Sequence, residues 1–199
     1  MPEIKKAELI EGIVYMGSPV YVSHAAPDSL IQTWLGYYAA RTPGTVGLTN
    51  VTFRLDSDNV VQPDCLLRIA SEFGGQMRVD EDGYLRGAPE LVVEIAATSA
   101  AIDFHQKRRV YRRAGVREYL IWRTLDQKFD WLILAQDEYQ ASAPDARGVI
   151  SSLHFPGLAL AVDALLARDA AKTLDVLQDA LQQPAHASFV AALARKPPA

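Results

Sequence analysis

Three polar side chains in apolar surroundings define the chemistry open to this chain: Asp64, Glu94 and Lys107. Asp64 follows Pro63 inside an extended run over residues 60–69. Glu94 interrupts the apolar run Leu91-Val92-Val93-Glu94-Ile95-Ala96, and Lys107 lies near the start of a helical stretch that Gly115 closes. A carboxylate in the middle of an apolar strand is costly unless it is paired or bound to a cation. Two carboxylates can hold a hard divalent cation through oxygen, and an ammonium beside them can offset charge building on a phosphorane. These are the parts a Mg²⁺-dependent phosphodiester hydrolase needs. Each residue alone has a plainer reading. Glu94 could pair with an arginine such as Arg112, and a Pro-Asp dipeptide alone marks a turn or strand start. Lys107 could form a surface pair with Asp103, worth about 0.3–0.5 kcal/mol.

The elements that must position these residues are readable from periodicity and punctuation. Residues 7–21 read as two short extended pieces about Gly12 and Gly17-Ser18-Pro19. Leu30, Ile31, Trp34, Leu35 and Tyr38 recur at spacings of three and four, predicting a helix over 29–40, with Pro27 before it and Pro43-Gly44 after it. Residues 46–55 and 60–69 read as strands about the turn Asp56-Ser57-Asp58-Asn59. Pro63 makes the second an edge strand or an interrupted one, because proline cannot donate to a ladder. Residues 70–89 form a long connection with a turn at Asp82-Gly83. Residues 91–96 suit a central strand covered on both faces. In the next helix Asp103 and Gln106 have capping-box spacing, and Gly115 suits the position after the last turn. Strands at 118–123 and 129–135, a short one at 138–140, and Ala/Leu-rich helices from 162 onward complete the pattern. It predicts one α/β or α+β domain with a C-terminal helical extension.

A chain of 199 residues with 49% hydrophobic and 22% charged residues can bury one proper core. No apolar run is long enough to span a membrane, and the N-terminus lacks the apolar stretch of a signal peptide, so the expected location is cytoplasmic. The single cysteine, Cys65, excludes an internal disulfide and a cysteine-based zinc cage, and it reads as a buried core thiol. His24, His105, His154 and His186 show no metal-ligand spacing. A net charge of −4 argues against a surface that attracts nucleic acid everywhere. Basic residues nevertheless crowd between 107 and 123: Lys107, Arg108, Arg109, Arg112, Arg113, Arg117 and Arg123. They form a solvated, salt-bridged face or, on the flanks of the helix, contacts for phosphates.

Taken in order, a longer series of residues is more specific than these three. It comprises Glu8-Leu9-Ile10-Glu11-Gly12, Met16, Ser18-Pro19, His24, Pro63-Asp64 and Gly87-Ala88-Pro89-Glu90-Leu91-Val92-Val93-Glu94. It continues through Asp103, Lys107, Tyr111, Ala114-Gly115-Val116, Glu118-Tyr119 and Ile121, and closes with Phe155-Pro156-Gly157-Leu158. This series resembles the PD-(D/E)xK nuclease superfamily and, within it, the Uma2-like (DUF820) family of restriction-endonuclease-like proteins. One departure stands out. The lysine usual two residues after the second acidic residue would fall at Ala96, and the resemblance implies that Lys107, from the next helix, takes its place.

The resemblance implies a restriction-endonuclease-like fold, a mixed β-sheet core flanked by helices, over residues 1–166, with 167–199 as the helical extension. It implies Asp64, Glu94 and the Ile95 carbonyl as ligands of Mg²⁺ or Mn²⁺, and Lys107 as the group assisting the attacking water. Glu8, Glu11, His24 and Asp103 are possible accessory residues, DNA is the implied substrate, and a homodimer would let two sites address two strands. The competing reading is a catalytically inactive nucleic-acid-binding or regulatory module that keeps the nuclease fold.

Overall fold

A computed structural model gives the fold and describes residues 7–16, 22–96 and 102–195, the side chains of 102–104 excepted. The expected turn at Gly17-Ser18-Pro19 and the capping role of the Asp103 side chain lie outside the described residues. The chain opens with a hairpin, β1 (Ala7–Ile10) and β2 (Ile13–Met16), followed by helix α1 (Val22–Arg41). Strands β3 (Thr45–Thr49), β4 (Phe53–Asp56), β5 (Asn59–Val61) and β6 (Cys65–Ile69) come next. A 3₁₀ turn over Ser71–Phe73 leads to β7 (Arg78–Val79), β8 (Leu85–Arg86) and β9 (Leu91–Ala96). A π-helical segment, Ile102–Lys107, runs directly into α2 (Arg108–Ala114). Then come β10 (Glu118–Arg123), β11 (Lys128–Ala135), β12 (Glu138–Ala141), β13 (Val149–Ser151) and β14 (Ala159–Ala161), followed by helices α3 (Val162–Leu166), α4 (Ala170–Leu181) and α5 (Pro184–Arg195). No helix among the described residues is long and apolar enough to cross a membrane.

Two six-stranded sheets carry the architecture, in the orders β2-β1-β5-β4-β8-β7 and β12-β11-β10-β9-β6-β3. In the second, β9 and β10 run parallel, joined through the π segment and α2, while β6 lies antiparallel on the other side of β9. β9 is buried along its whole length, as a doubly covered central strand must be. Its odd residues, Leu91, Val93 and Ile95, share a core with Trp34 of α1, Leu177 of α4 and Leu193 of α5. Its even residues Val92 and Ala96 share the other core with Val110 and Tyr111 of α2 and with Ile10, Phe53 and Val61 of the first sheet. Fully burying each such aliphatic side chain contributes about 1.5–3 kcal/mol before entropy is counted.

Three departures from the sequence pattern have simple causes. Helix α1 begins at Val22, and Pro27 lies inside it and is buried. Its ring extends the apolar stripe of Leu30, Ile31, Trp34, Leu35 and Tyr38 by one turn, at the cost of one hydrogen bond to the Ser23 carbonyl. The run 60–69 divides at Pro63 into β5 and β6, which belong to different sheets. The residue that cannot donate therefore falls at the crossing, and Asp64 is delivered to the mouth of β6. The connection 70–89 is not structureless, since β7 and β8 pair about a turn at Gly83. Gly75 is required there, because an added Cβ would meet the Ile69 carbonyl oxygen at 1.8 Å.

Candidate active site

The sheet register brings the two sequence-predicted carboxylates together. Cys65 pairs with Val93 at the end of the β6–β9 ladder, so one step further Asp64 stands opposite Glu94. Asp64 is only 3% exposed, and its Oδ2 accepts the Ile95 N–H at 2.7 Å. Its own carbonyl accepts the Asn50 N–H at 3.0 Å. From the first turns of α1, His24 Nε2 reaches to 3.4 Å from Asp64 Oδ2. The Ile95 N–H therefore points to the β6 edge of β9, and the carbonyl of the same strand residue shares that edge.

Glu94 is equally buried. Its Oε1 accepts from Lys107 Nζ at 2.9 Å and from the Tyr111 hydroxyl at 2.8 Å. Lys107, itself 2% exposed, also lies 3.0 Å from Glu8 Oε1. That Glu8 oxygen accepts the Gln62 N–H at 2.8 Å, so β1 and the segment after β5 anchor the lysine from the first sheet. Two of the plainer sequence readings are thereby corrected. Lys107 is not a surface residue, because it is buried between Glu94 of β9 and Glu8 of β1. Glu94 is not paired with Arg112, which turns outward to Glu138 and the Asp137 carbonyl. Ala96 shares a core with Val92 and Tyr111.

The accessory candidates divide. Glu8 and His24 contact the central groups directly. Glu11, in the β1–β2 turn, instead holds Arg109 and Arg113 at 2.9 Å each. Those arginines, Arg109 first, hold its carboxyl below the usual range. Arg108 donates to the Tyr139 carbonyl, and Arg123 pairs with Asp126 and Asp130. The basic run is thus largely engaged within the protein. Sequence reasoning gave no site role to Tyr111 or Asp28. Each lies four residues after a named candidate on the same helix, Tyr111 after Lys107 and Asp28 after His24, and that spacing was the available signal. Asp28 accepts from Gln32 at 2.7 Å and meets the Cys65 thiol at 3.6 Å. Burial, aided by the charge of Asp64, pushes its carboxyl up, and burial pushes the Cys65 thiol up as well.

The charge balance bears on whether a cation fits. Glu8, Asp64 and Glu94 bring three carboxylates into a space where Lys107 supplies one ammonium, with His24 at its margin. Among the described residues, no group of three or more His, Cys, Asp or Glu side chains is arranged as a metal cage. A donor set of Asp64, Glu94 and the Ile95 carbonyl would be all hard oxygen. It suits a small divalent ion that keeps several of its waters.

Mixed sheets, flanking helices and a buried carboxylate–lysine cluster place the molecule in the nuclease-like α+β class. The structure is similar to that of a putative nuclease belonging to DUF820 from Anabaena variabilis, with a TM-score of 0.65 at 16% identity, over 84% of this chain and 93% of that one. The family model described as Uma2, putative restriction endonuclease, matches residues 1–163. The chain belongs to that family. No curated protein matches it in sequence.

Proposed function

We propose that the protein is a metal-dependent endonuclease that hydrolyses phosphodiester bonds of DNA. The observation that carries this reading is the register that sets buried Asp64 opposite buried Glu94 on neighbouring strands, with Lys107 Nζ 2.9 Å from Glu94. Asp64, Glu94 and the Ile95 carbonyl would hold Mg²⁺ or Mn²⁺. When bound, the cation supplies Lewis-acid polarisation of the scissile phosphate and acidifies water at neutral pH. The Ile95 N–H and His24 fix the orientation of Asp64. Lys107, held between Glu8 and Glu94, presents a fixed positive charge that orients the attacking water and offsets charge developing on phosphorus. Glu8 keeps the ammonium in place from the opposite sheet. Two copies of the chain would set two such sites against two strands.

Plasmid cleavage in Mg²⁺ or Mn²⁺ tests the reading. The wild-type protein is expected to nick or linearise DNA, and Asp64→Ala and Glu94→Ala proteins to do neither. Cleavage retained by either variant would discard the assigned site. A second reading, a nucleic-acid-binding or regulatory module without turnover, draws on the net charge of −4 and on the lysine displaced from position 96 to the helix. It predicts no calorimetric Mn²⁺ binding, or binding that Glu94→Ala leaves untouched.

A further inference from the structure

Two donors meet on one oxygen of Glu94, and only one of them carries charge. Tyr111 lies one helical turn beyond Lys107, and its hydroxyl reaches Glu94 Oε1 at 2.8 Å, beside the Lys107 ammonium at 2.9 Å. The ring is completely buried and stacks edge-on against Tyr119, with centroids 5.0 Å apart. Tyr119 in turn lies against Tyr139, whose hydroxyl donates to the Val116 carbonyl at 2.8 Å, away from Glu94. A hydroxyl locked by a packed ring fixes its carboxylate in one orientation, whereas a flexible lysine alone would not.

We propose that Tyr111 is the positioning residue of this site: its hydroxyl holds Glu94 Oε1 so that Glu94 meets a divalent cation while Lys107 stays shared between Glu94 and Glu8. Without the hydroxyl, Lys107 is the remaining of these two donors to Oε1. Glu94 then draws the ammonium away from Glu8 and binds it more closely, in competition with the metal. The inference rests on the metal-binding reading above and adds a residue which that reading does not require.

The test is Mn²⁺ titration by calorimetry of the full chain as wild type, Tyr111→Phe and Tyr139→Phe, with thermal melting of each. Loss of a hydrogen bond to a charged group predicts Mn²⁺ binding weakened about tenfold in Y111F. Y139F, which loses a hydroxyl from the same aromatic stack, is expected to bind as wild type does. Y111F keeps its ring and is expected to melt close to Y139F. Equal Mn²⁺ affinity in Y111F and wild type overturns the role of Tyr111 and leaves the metal reading standing. Weakening of the same size in Y139F, or a Y111F protein that does not fold, overturns it by assigning the hydroxyl to core stability. A wild type that binds no Mn²⁺ overturns the metal reading and the role of Tyr111 together.

Discussion

One short helical stretch carries charge in two opposite settings. Lys107, at the junction of the π segment and α2, is buried between Glu8 and Glu94, while Arg109, Arg112 and Arg113 on the other side meet Glu11 and Glu138 in solvent. The same division runs through the first hairpin, where Glu8 faces inward and Glu11 outward. Outside, each ion pair exchanges one hydrated state for another and is worth little. Inside, the carboxylates have little access to water, so each depends on the partners the fold supplies. The arginine-rich appearance of the sequence therefore marks the less consequential side. Lys107 is the basic residue of this stretch that lies against the buried carboxylates.

The contrast can be broken from the inside first. Asp64→Ala and Glu94→Ala are expected to reduce DNA cleavage to background, measured on supercoiled plasmid. In differential scanning calorimetry, Mn²⁺ at a hundred times its dissociation constant should stabilise the wild type by about 2.7 kcal/mol, and Glu94→Gln should abolish that gain. Lys107→Ala comes next, losing activity by about a hundredfold or more in single-turnover assays. It should also cost on the order of 3 kcal/mol of stability, because it leaves carboxylates buried without their cation. A Lys107→Met, Glu94→Gln protein should recover part of that stability while staying inactive, which chemical denaturation can read.

The outside should respond weakly and in a different way. Glu11→Gln is expected to cost only about 0.2–1 kcal/mol at neutral pH, and less at high salt. The sign with pH follows from the depressed carboxyl. Its contribution is present above the ordinary value of 4.5 and is lost as pH falls through the lower folded value. Wild type and Glu11→Gln melting curves should therefore converge at acid pH. A Glu11 effect as large as that of Lys107 would erase the distinction between the two sides.

The site was partly legible in the sequence because burial leaves a mark there. Glu94 inside Leu91-Val92-Val93-Glu94-Ile95-Ala96 is conspicuous, since an unpaired charge in a doubly covered strand is expensive. Pro63 announced an interruption, and the chain does change sheets there. Tyr111 was not legible as a partner of Glu94, because a tyrosine on an apolar helix face looks like any core residue. The start of α1 was missed because Pro27 is normally a boundary signal, and a buried stripe overrode it.

What the sequence alone determined was the set of chemical groups, the order of elements around them and the family they belong to. Helical spacing and strand alternation are periods without an absolute phase. Only the tertiary structure decided which glutamate of the hairpin turns inward to accompany Lys107. The packing of Val110 and Tyr111 against the sheet sets the rotation of α2. The π segment before it shifts the angular position of Lys107 from what regular helical spacing predicts. The fold brings Asp64 and Glu94 opposite each other only because β6 and β9 pair in that register, an alignment that no local pattern encodes.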